Sequence, residues 1–330
     1  MKIGIIGAGG WGTALSCVLA DNGFQPLIWC FESTTTDEIN LNRTNSVFLP
    51  GVTLPLAIRA TSALTDLHSC DILVISTPTQ HIRATVSAYP ELFKGKKIVD
   101  VAKGIEIGTT YRISQILEEA VGIKPENYAV LTGPSHAEEV SRRHPTTVVT
   151  ASDNGMLAAE VQKIFSNKNF RVYSSVDVIG CELGGALKNV IAVAAGVVDG
   201  AGFGDNTKAA LITRGLAEIT RLGVAVGATQ NTFFGLSGIG DLFVTCASKL
   251  SRNRQVGEYL GRGQKIDDII SSMKMVAEGV HTTRSAYELA QTHRIEMPIT
   301  EQIYKLLFGG YSVKDSMEEL MARETKREWL

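Results

Sequence analysis

The first half of the chain alternates short runs rich in Val and Ile with longer stretches of helical character. Such alternation is typical of repeated strand-helix units, which build a mostly parallel sheet with helices on its faces. The pattern predicts seven strands, at residues 2–6, 26–29, 71–76, 97–101, 128–131, 146–150 and 170–173.

The pattern changes near residue 178. Apolar side chains then recur at helical spacing, as from Leu211 to Leu222, and no alternating strand remains. A charged stretch at 318–330 predicts a last helix. Because 330 residues give room for about two domains, we predict an α/β domain over residues 1–178 and an all-α domain over residues 179–330.

Composition narrows the classes of function. Hydrophobic residues make up 44% of the chain, charged residues 20%, and the net charge is -2, which is typical of a globular protein and gives no reason to expect a nucleic-acid partner. The first apolar run ends in glycines at Gly7, so we expect no secretory signal. The longest uncharged apolar run, Val190 to Val198, is far shorter than the ~20 residues that cross a bilayer, so we expect no transmembrane segment.

Cysteine and histidine usage bears on metals and on the cellular compartment. The five cysteines are scattered and never spaced as Cys-x-x-Cys, and no two of the six histidines are four residues apart. Both patterns argue against a disulfide framework and a metal site. We therefore expect no metal and a reducing, cytoplasmic location. The Gly- and Ala-rich helical half is compatible with a homodimer.

A glycine-rich motif follows the first predicted strand and leads into a helix-forming stretch. Gly7, Gly9 and Gly12 form the pattern G-x-G-x-x-G. In this setting the first glycine permits a tight turn, the second lets the backbone approach a pyrophosphate, and the third lets helix and strand pack closely. The alternative is that these glycines serve only the turn. The context favours a Rossmann-type site for NAD or NADP in the first domain.

The choice between NAD and NADP stays open. An acidic residue about 20 positions beyond the motif binds the adenosine ribose of NAD, whereas a basic one favours NADP. Glu32 lies at about that distance but past the usual strand end, and it could equally be a solvated loop charge. No Arg or Lys lies between Lys2 and Arg43, which favours NAD without excluding NADP.

Lys188 is the only charged residue between Glu182 and Asp199, within a run of Gly, Ala, Val and Leu. An ammonium group among apolar neighbours must reach water or be held by partners, because a buried unpaired charge costs several kcal/mol or more. The alternative to a chemical role is a lysine at the wet edge of a helix. Lys188 is therefore a candidate for a chemical role.

Three further segments follow predicted strands, where ligands bind in doubly wound sheets. They are residues 76–78, 101–104 and 132–137. Lys103 could be a plain surface lysine, but its place at a strand end beside a glycine also fits catalysis or anion binding. For His136 we favour a structural role.

The helical half offers a carboxylate and a basic cluster. Asp241 lies in a glycine-flanked apolar segment, where it could cap a helix or pair with a buried lysine. Residues 251–254 read Ser-Arg-Asn-Arg, a composition that suits a phosphate because Arg presents a bidentate fork. A solvated basic turn is the alternative.

Taken in order, these motifs resemble those of NAD(P)-dependent sn-glycerol-3-phosphate dehydrogenases, most closely the bacterial biosynthetic type. The resemblance runs over nearly the whole chain and rests on residues 7–12, 103–104, 133–135, 184–189, 200–204, 238–242 and 251–254. It implies a Rossmann domain followed by a helical domain. It also implies reversible reduction of dihydroxyacetone phosphate to sn-glycerol 3-phosphate, in supply of glycerophospholipid synthesis.

The resemblance further implies roles for individual residues. Lys188 would be the proton donor or acceptor, with Lys103 and Asp241 beside it as further catalytic residues. The substrate would contact these three residues together with Gly133, Ser135, Ser251, Arg252 and Asn253, and Thr245 and Asn189 would be secondary contacts. The dinucleotide would lie against the motif glycines and against Gly10, Trp11, Phe31, Lys103, Ala137, Arg252, Val276 and Glu278.

One departure and two rival functions qualify the resemblance. Family members often carry Arg or another polar residue where this chain has Cys30 and Phe31, so the preference for NADP is in doubt. Dehydrogenases of the 3-hydroxyacid or 6-phosphogluconate type also join a Rossmann half to a helical half. A regulatory module that senses NAD(H) without turnover would have no need for Lys188 and Asp241 in so apolar a setting.

Overall fold

The computed structural model describes residues 1–273, 275–325 and 327–328. Its first 175 residues hold one eight-stranded sheet, with strands β1 (Ile3–Ile6), β2 (Leu27–Trp29), β3 (Arg59–Thr61), β4 (Ile72–Ile75), β5 (Lys97–Asp100), β6 (Tyr128–Thr132), β7 (Thr146–Ala151) and β8 (Phe170–Ser175). The strand order is β3-β2-β1-β4-β5-β6-β7-β8. The first six strands have the order of a Rossmann sheet, so the predicted fold class is confirmed.

Almost all neighbouring strands are parallel. β1, β4 and β6 are buried along their whole length, as expected for strands covered on both faces. The exception is the antiparallel pair of β6 and β7. The connection between them holds one five-residue helix (Ala137–Ser141), which is too short to carry the chain back along the sheet for a parallel crossover.

All seven predicted strands are present, with ends that differ by up to two residues. The sequence pattern missed β3. This strand has three residues, Arg59 to Thr61, and none of them is buried. A strand so short and polar lacks the apolar alternation on which the prediction depends.

α-Helices flank the sheet and make up most of the remaining chain. Those of the first half are α1 (Gly10–Asp21), α2 (Ser33–Asp37), α3 (Thr79–Ser87), α4 (Pro90–Phe93), α5 (Ile113–Val121), α6 (Ala137–Ser141) and α7 (Gly155–Phe165). Those of the second half are α8 (Val178–Gly200), α9 (Asp205–Ala225), α10 (Asp241–Ala247), α11 (Arg252–Gly261), α12 (Ile266–Ser272), α13 (Glu278–His293), α14 (Pro298–Phe308) and α15 (Val313–Met321). Short 3-10 turns lie at Leu64–Ser69, Pro125–Asn127 and Gln230–Phe234, and π-helical turns at Glu38–Asn42 and Leu236–Gly240.

The second half is helical, as predicted, and no described residue after Ser175 lies in a strand. Its centre is α8, which packs against α9, α10, α11 and α13. By length and composition α8 could cross a membrane, but 94% of its most apolar window is buried inside the protein. It is therefore the core helix of this half. The domain boundary at residue 178 stays a prediction, although α8 begins there.

α8 and α11 cross at very short range. A Cβ atom at Gly196 would lie 1.9 Å from the carbonyl oxygen of Arg254, and one at Gly257 would lie 1.9 Å from that of Val193. The absence of side chains at these two positions lets the two backbones touch. The crossing brings the start of α11 beside the middle of α8.

The C-terminal helix is shorter than predicted. The sequence predicts a helix over 318–330, whereas α15 ends at Met321. Residues 326, 329 and 330 of that prediction lie outside the described part of the chain.

Candidate active site

The glycine-rich loop joins β1 to α1 as predicted. Gly7 has φ +114°, a conformation that side chains rarely adopt, and a Cβ there would lie 2.9 Å from the backbone of Ser76. A Cβ at Gly12 would lie 2.2 Å from the carbonyl oxygen of Gly7. These two glycines hold the turn and the helix-strand contact in the way the motif requires.

The loop also suits the pyrophosphate of a dinucleotide. α1 begins at Gly10, its first turn has no acidic residue, and its N-cap Gly9 has no side chain to bond the first N–H groups. A Cβ at Gly9 would meet no atom within 4 Å, so the space beside this backbone is open to a ligand. The indole Nε1 of Trp11 is buried without a hydrogen-bond partner. Free N–H groups and the positive end of a helix bind phosphate groups.

Other predicted cofactor residues border this loop. A Cβ at Gly10 would lie 3.6 Å from the Cβ of Ala137, which opens α6. On the adenosine side, Phe31 is 81% exposed just beyond β2 and contacts Trp29 edge-on, with the ring centroids 6.2 Å apart. Glu32 beside it is exposed. Neither residue decides between NAD and NADP.

The second part of the site is a buried carboxylate between two ammonium groups. Asp241 is 1% exposed. Its Oδ2 accepts a hydrogen bond from Lys103 Nζ at 2.7 Å, and its Oδ1 accepts one from Lys188 Nζ. Lys188 also donates to Thr245 Oγ1 at 2.7 Å. The structure therefore brings together the three predicted catalytic residues, which are separated by 53 to 138 positions in the chain.

The surrounding fold explains how these groups meet. Lys103 follows β5 and Gly133 follows the adjacent parallel strand β6, so both lie at the carboxyl edge of the sheet. Lys103 Nζ donates to the carbonyl oxygen of Gly133 at 3.0 Å, and Ser135 Oγ donates to the same oxygen at 2.9 Å. Asp241 is the first residue of α10, where the helix dipole favours a negative charge.

The ionisation of this centre follows from burial and charge. Burial, with the positive charge of Lys103 as a smaller cause, lowers the pKa of Lys188 to about 8 against the opposing effect of Asp241. Burial alone would raise the pKa of Asp241, but the ammonium groups of Lys103 and Lys188 outweigh burial and hold that pKa below its ordinary value. Lys188 can therefore gain and lose a proton near neutral pH while Asp241 remains ionised.

A series of hydrogen bonds through two amide side chains connects α11 and α13 to the loop that carries Lys103. Asn253 Oδ1 accepts from the Gly279 N–H at 2.9 Å, and Asn253 Nδ2 donates to Asn189 Oδ1 at 2.9 Å. Asn189 Nδ2 donates in turn to the carbonyl oxygen of Lys103 at 3.4 Å. Ser251, the N-cap of α11, is buried, and its Oγ accepts from the N–H of Arg254 at 3.2 Å.

The two arginines of the basic cluster at residues 251–254 have different surroundings. The side chain of Arg252 is exposed and donates from Nη1 to the carbonyl oxygen of Val276 at 3.2 Å. Arg254 is buried, and its guanidinium pairs with Asp199 at 2.6 Å and with Glu258 at 3.1 Å. Arg254 therefore helps hold α8 against α11, and it is not among the residues predicted to contact the substrate.

Glu278 connects the helical half with the first half of the chain. Its Oε1 accepts from the N–H of Thr79, the first residue of α3, at 2.9 Å. Its Oε2 is buried without a hydrogen-bond partner, and burial raises the pKa of Glu278 to about 7. A Cβ at Gly104 would lie 3.2 Å from that oxygen. Glu278 therefore lies next to the loop that carries Lys103.

Burial lowers the pKa of His136, and the charge of Lys188 lowers it further, while the Nε2 atom of His136 is buried without a hydrogen-bond partner.

Asn45 was missed by the sequence pattern. It is fully buried and donates to the carbonyl oxygen of Ala8 at 2.8 Å and to Thr13 Oγ1 at 2.9 Å, so it supports the glycine-rich loop. A single Asn in a loop carries no periodic signal.

Potential metal ligands are dispersed. Within the described residues, no group of three or more His, Cys, Asp or Glu side chains could hold a metal ion. All five cysteines are buried as free thiols.

Sequence comparison matches both halves of the chain to one family. A sequence model described as "NAD-dependent glycerol-3-phosphate dehydrogenase N-terminus" matches residues 2–158, and its C-terminal counterpart matches residues 177–318. The chain is 50% identical to the glycerol-3-phosphate dehydrogenase (NAD(P)+) of Bacillus velezensis over 98% of this chain and 94% of that protein. It is 52% identical to the enzyme of the same name from Geobacillus kaustophilus, over 99% of this chain and 96% of that protein.

Structural comparison agrees. The crystal structure of glycerol-3-phosphate dehydrogenase from Coxiella burnetii superposes with a TM-score of 0.93 at 35% identity, covering 98% of this chain and 99% of that one. The similarity therefore extends across the sheet and the helices together.

Proposed function

Because the chain belongs to the family of NAD-dependent glycerol-3-phosphate dehydrogenases, we propose that Lys188 transfers the proton in its reaction. The protein is an NAD(P)-dependent oxidoreductase that interconverts dihydroxyacetone phosphate and sn-glycerol 3-phosphate. One observation carries the assignment of Lys188: its ammonium group is buried beside Asp241, with Lys103 bonded to the other oxygen of the same carboxylate. A regulatory module without turnover would have no use for this arrangement.

The proton balance of the reaction fits this centre. A dinucleotide held at the glycine-rich loop would supply the hydride for C2 of the substrate, or accept it from that carbon. In the reductive direction Lys188 donates a proton to the developing alkoxide, and in the oxidative direction neutral Lys188 removes the hydroxyl proton. A pKa of about 8 suits both directions, because a group titrating near the working pH both gives and takes a proton readily.

Lys103 and Asp241 have supporting roles in this proposal. The ammonium group of Lys103 adds a second positive charge beside the reacting oxygen, and such preorganised charge is often the largest part of catalysis. Asp241 keeps the two ammonium groups compatible with each other, since each of its oxygens accepts from one of them.

We assign the phosphate end of the substrate to the start of α11 and the loop after β6. Ser251, Arg252 and Asn253 supply hydroxyl, guanidinium and amide donors there, and Gly133 and Ser135 lie beside Lys103. Binding a remote phosphate holds the carbonyl in place for the reaction. The cofactor, NAD or NADP, would occupy the cleft bordered by Gly7, Gly9, Gly10, Trp11, Gly12, Phe31, Lys103, Ala137, Arg252, Val276 and Glu278.

The proposal for Lys188 is tested by substitution. We expect wild-type protein to consume NADH or NADPH when dihydroxyacetone phosphate is added. Lys188→Ala removes the proton donor, so kcat should fall by about 10²-fold to 10⁴-fold while the affinity for the reduced cofactor, measured by fluorescence titration, stays near wild type. Lys249→Ala, at an exposed lysine, is the control and should behave as wild type. Near-normal turnover by Lys188→Ala would contradict the assignment.

The cellular setting is also proposed. The product sn-glycerol 3-phosphate would supply glycerophospholipid synthesis, and the five buried free thiols fit a cytoplasmic location. The helical half is compatible with a homodimer. The change from strands to helices at α8 supports a boundary between a domain of residues 1–178 and one of residues 179–330.

A further inference from the structure

A buried polar network lies between the two segments that carry the lysines. The hydroxyl group of Tyr128 is 2.8 Å from Glu182 Oε1 and 3.1 Å from Asp100 Oδ2. Asp100 is fully buried at the end of β5, and Glu182 is 7% exposed in the first turns of α8. The mechanism above uses neither carboxyl group.

The two carboxyl groups differ in the number of hydrogen-bond donors that surround them. Glu182 accepts from the guanidinium of Arg112, from the N–H of Ser114 at 2.8 Å, from Ser114 Oγ at 2.8 Å and from the Tyr128 hydroxyl. Four donors, one of them the Arg112 cation, surround this group, so each carboxyl oxygen accepts two hydrogen bonds and neither has a partner to which a carboxylic acid hydrogen could be donated. Tyr128 has a single hydroxyl hydrogen, which can serve only one of the two carboxyl groups, and Glu182 Oε1 at 2.8 Å is nearer than Asp100 Oδ2 at 3.1 Å.

Asp100 then faces the oxygen of Tyr128 without a hydrogen between them, unless the carboxyl group supplies one. Its Oδ1 accepts from the N–H of Ala102 at 3.0 Å. No Lys, Arg or His among the described residues forms an ion pair with it. An ionised Asp100 would be a buried, uncompensated charge directed at the tyrosine lone pairs, which is strongly unfavourable. Burial, and then the charge of Glu182, also raise the pKa of Asp100 well above its ordinary value.

We propose that Asp100 is held protonated and donates to Tyr128, which donates to Glu182. These two hydrogen bonds would position the two active-site lysines. Asp100 fixes the turn at Ala102, one residue before Lys103, and Glu182 lies on the same helix as Lys188. The hydrogen bonds through Tyr128 therefore link the loop that carries Lys103 to the helix that carries Lys188. This role rests on the proposed function of the lysines, and all three members are positioning residues.

Two amide substitutions separate this proposal from its alternatives. Asp100→Asn reproduces the proposed hydrogen bonds, since its oxygen accepts from Ala102 and its NH₂ donates to Tyr128. Glu182→Gln does not, because either orientation of the amide turns an NH₂ toward two donors and leaves Arg112 without its counter-charge. The two changes are chemically matched, yet the structure predicts opposite results.

We expect Asp100→Asn to keep kcat for dihydroxyacetone phosphate reduction within about twofold of wild type, because no hydrogen bond is lost. Tyr128→Phe and Glu182→Gln should lower kcat by about 10-fold to 100-fold without changing KM for the reduced cofactor, because misplacement of the lysines affects the chemical step. Tyr89→Phe, at an exposed tyrosine, is the matched control. A loss of kcat in Asp100→Asn equal to that in Tyr128→Phe overturns the proposal.

A second readout does not depend on activity. The infrared difference spectrum between wild type and Asp100→Asn should show the loss of a protonated carboxylic acid C=O band. A difference spectrum with only carboxylate bands also overturns the proposal, even if Glu182→Gln fails to fold. If wild type does not reduce dihydroxyacetone phosphate, the proposed function fails, while the infrared band still reports the protonation of Asp100.

Discussion

The carboxylate of Asp241 determines how two lysines coexist in a buried site. Lys188 is 6% exposed and titrates well below an ordinary lysine because burial disfavours its charge. Lys103 lies at the other carboxylate oxygen with 17% of its side chain exposed. Lys188 therefore loses its proton more easily than an ordinary lysine does, which is the property that a proton donor requires.

The pH dependence of the reaction should report this arrangement. In the proposed mechanism the reduction of dihydroxyacetone phosphate needs protonated Lys188, so kcat/KM should be highest below a pKa of about 8 and fall as the pH rises through it. The oxidation of glycerol 3-phosphate should show the opposite trend. Asp241→Asn removes the charge that opposes the lowering of the Lys188 pKa, so the fall should move to lower pH.

The same substitution should reduce the plateau of kcat/KM by about 10²-fold, since the two ammonium groups lose their common counter-charge. Asp153→Asn, at an exposed aspartate, is the control. An Asp241→Asn profile with its fall at the wild-type pH would show that Lys188 is not the titrating group.

Among the elements, the apolar pattern predicted those that are buried and missed those defined by their neighbours. β1, β4 and β6 are continuous buried runs, and their sequences show it. β3 is formed by pairing with β2, not by a pattern of its own. The antiparallel direction of β7 depends on the length of the connection, and no residue within the strand reveals it.

The crossing of α8 and α11 gives a prediction at this scale. Gly196→Ala places a methyl group against the Arg254 carbonyl, so the two helices must separate. This should lower the free energy of unfolding by about 1–3 kcal/mol in urea titrations. Because α11 carries Arg252, KM for dihydroxyacetone phosphate should rise as well.

Gly155→Ala is the matched control, since a Cβ there meets no atom within 4 Å. As the first residue of α7, this position should tolerate alanine with unchanged or slightly raised stability. Equal stability of Gly196→Ala and Gly155→Ala would show that the two helices adjust to the methyl group without loss of packing energy.

For the whole molecule, part of the site could be predicted because the sequences of some segments indicate their chemistry. The glycine motif and the isolated Lys188 are visible in the sequence without any structure. Val276 and Glu278 were expected only from a family resemblance, since nothing in their local sequence indicates a cofactor. Contacts such as Glu278 with Thr79 join residues 199 positions apart and follow from the tertiary fold alone. The network around Tyr128 was not foreseen for the same reason.

The glycine-rich loop allows cofactor binding to be separated from global stability. Gly9 has φ -63° and ψ 175°, which any residue adopts, and open space lies where its Cβ would be. Gly9→Val should therefore fold with the wild-type unfolding midpoint, yet its side chain would occupy the position of the pyrophosphate. In wild type, NADH at 100 times its Kd should stabilise the fold by about 2.7 kcal/mol, and Gly9→Val should lose this gain.

Gly12→Val provides the contrast, because its side chain meets the Gly7 carbonyl in the protein itself. That variant should be destabilised even without cofactor. Thermal unfolding of Gly9→Val and of Gly12→Val, each with and without NADH, measures the four stabilities that are compared. Full stabilisation of Gly9→Val by NADH would place the pyrophosphate away from this loop. Since Lys188 lies in the other half of the chain, the outcome would not alter its proposed role as proton donor, but it would change how the cofactor reaches it.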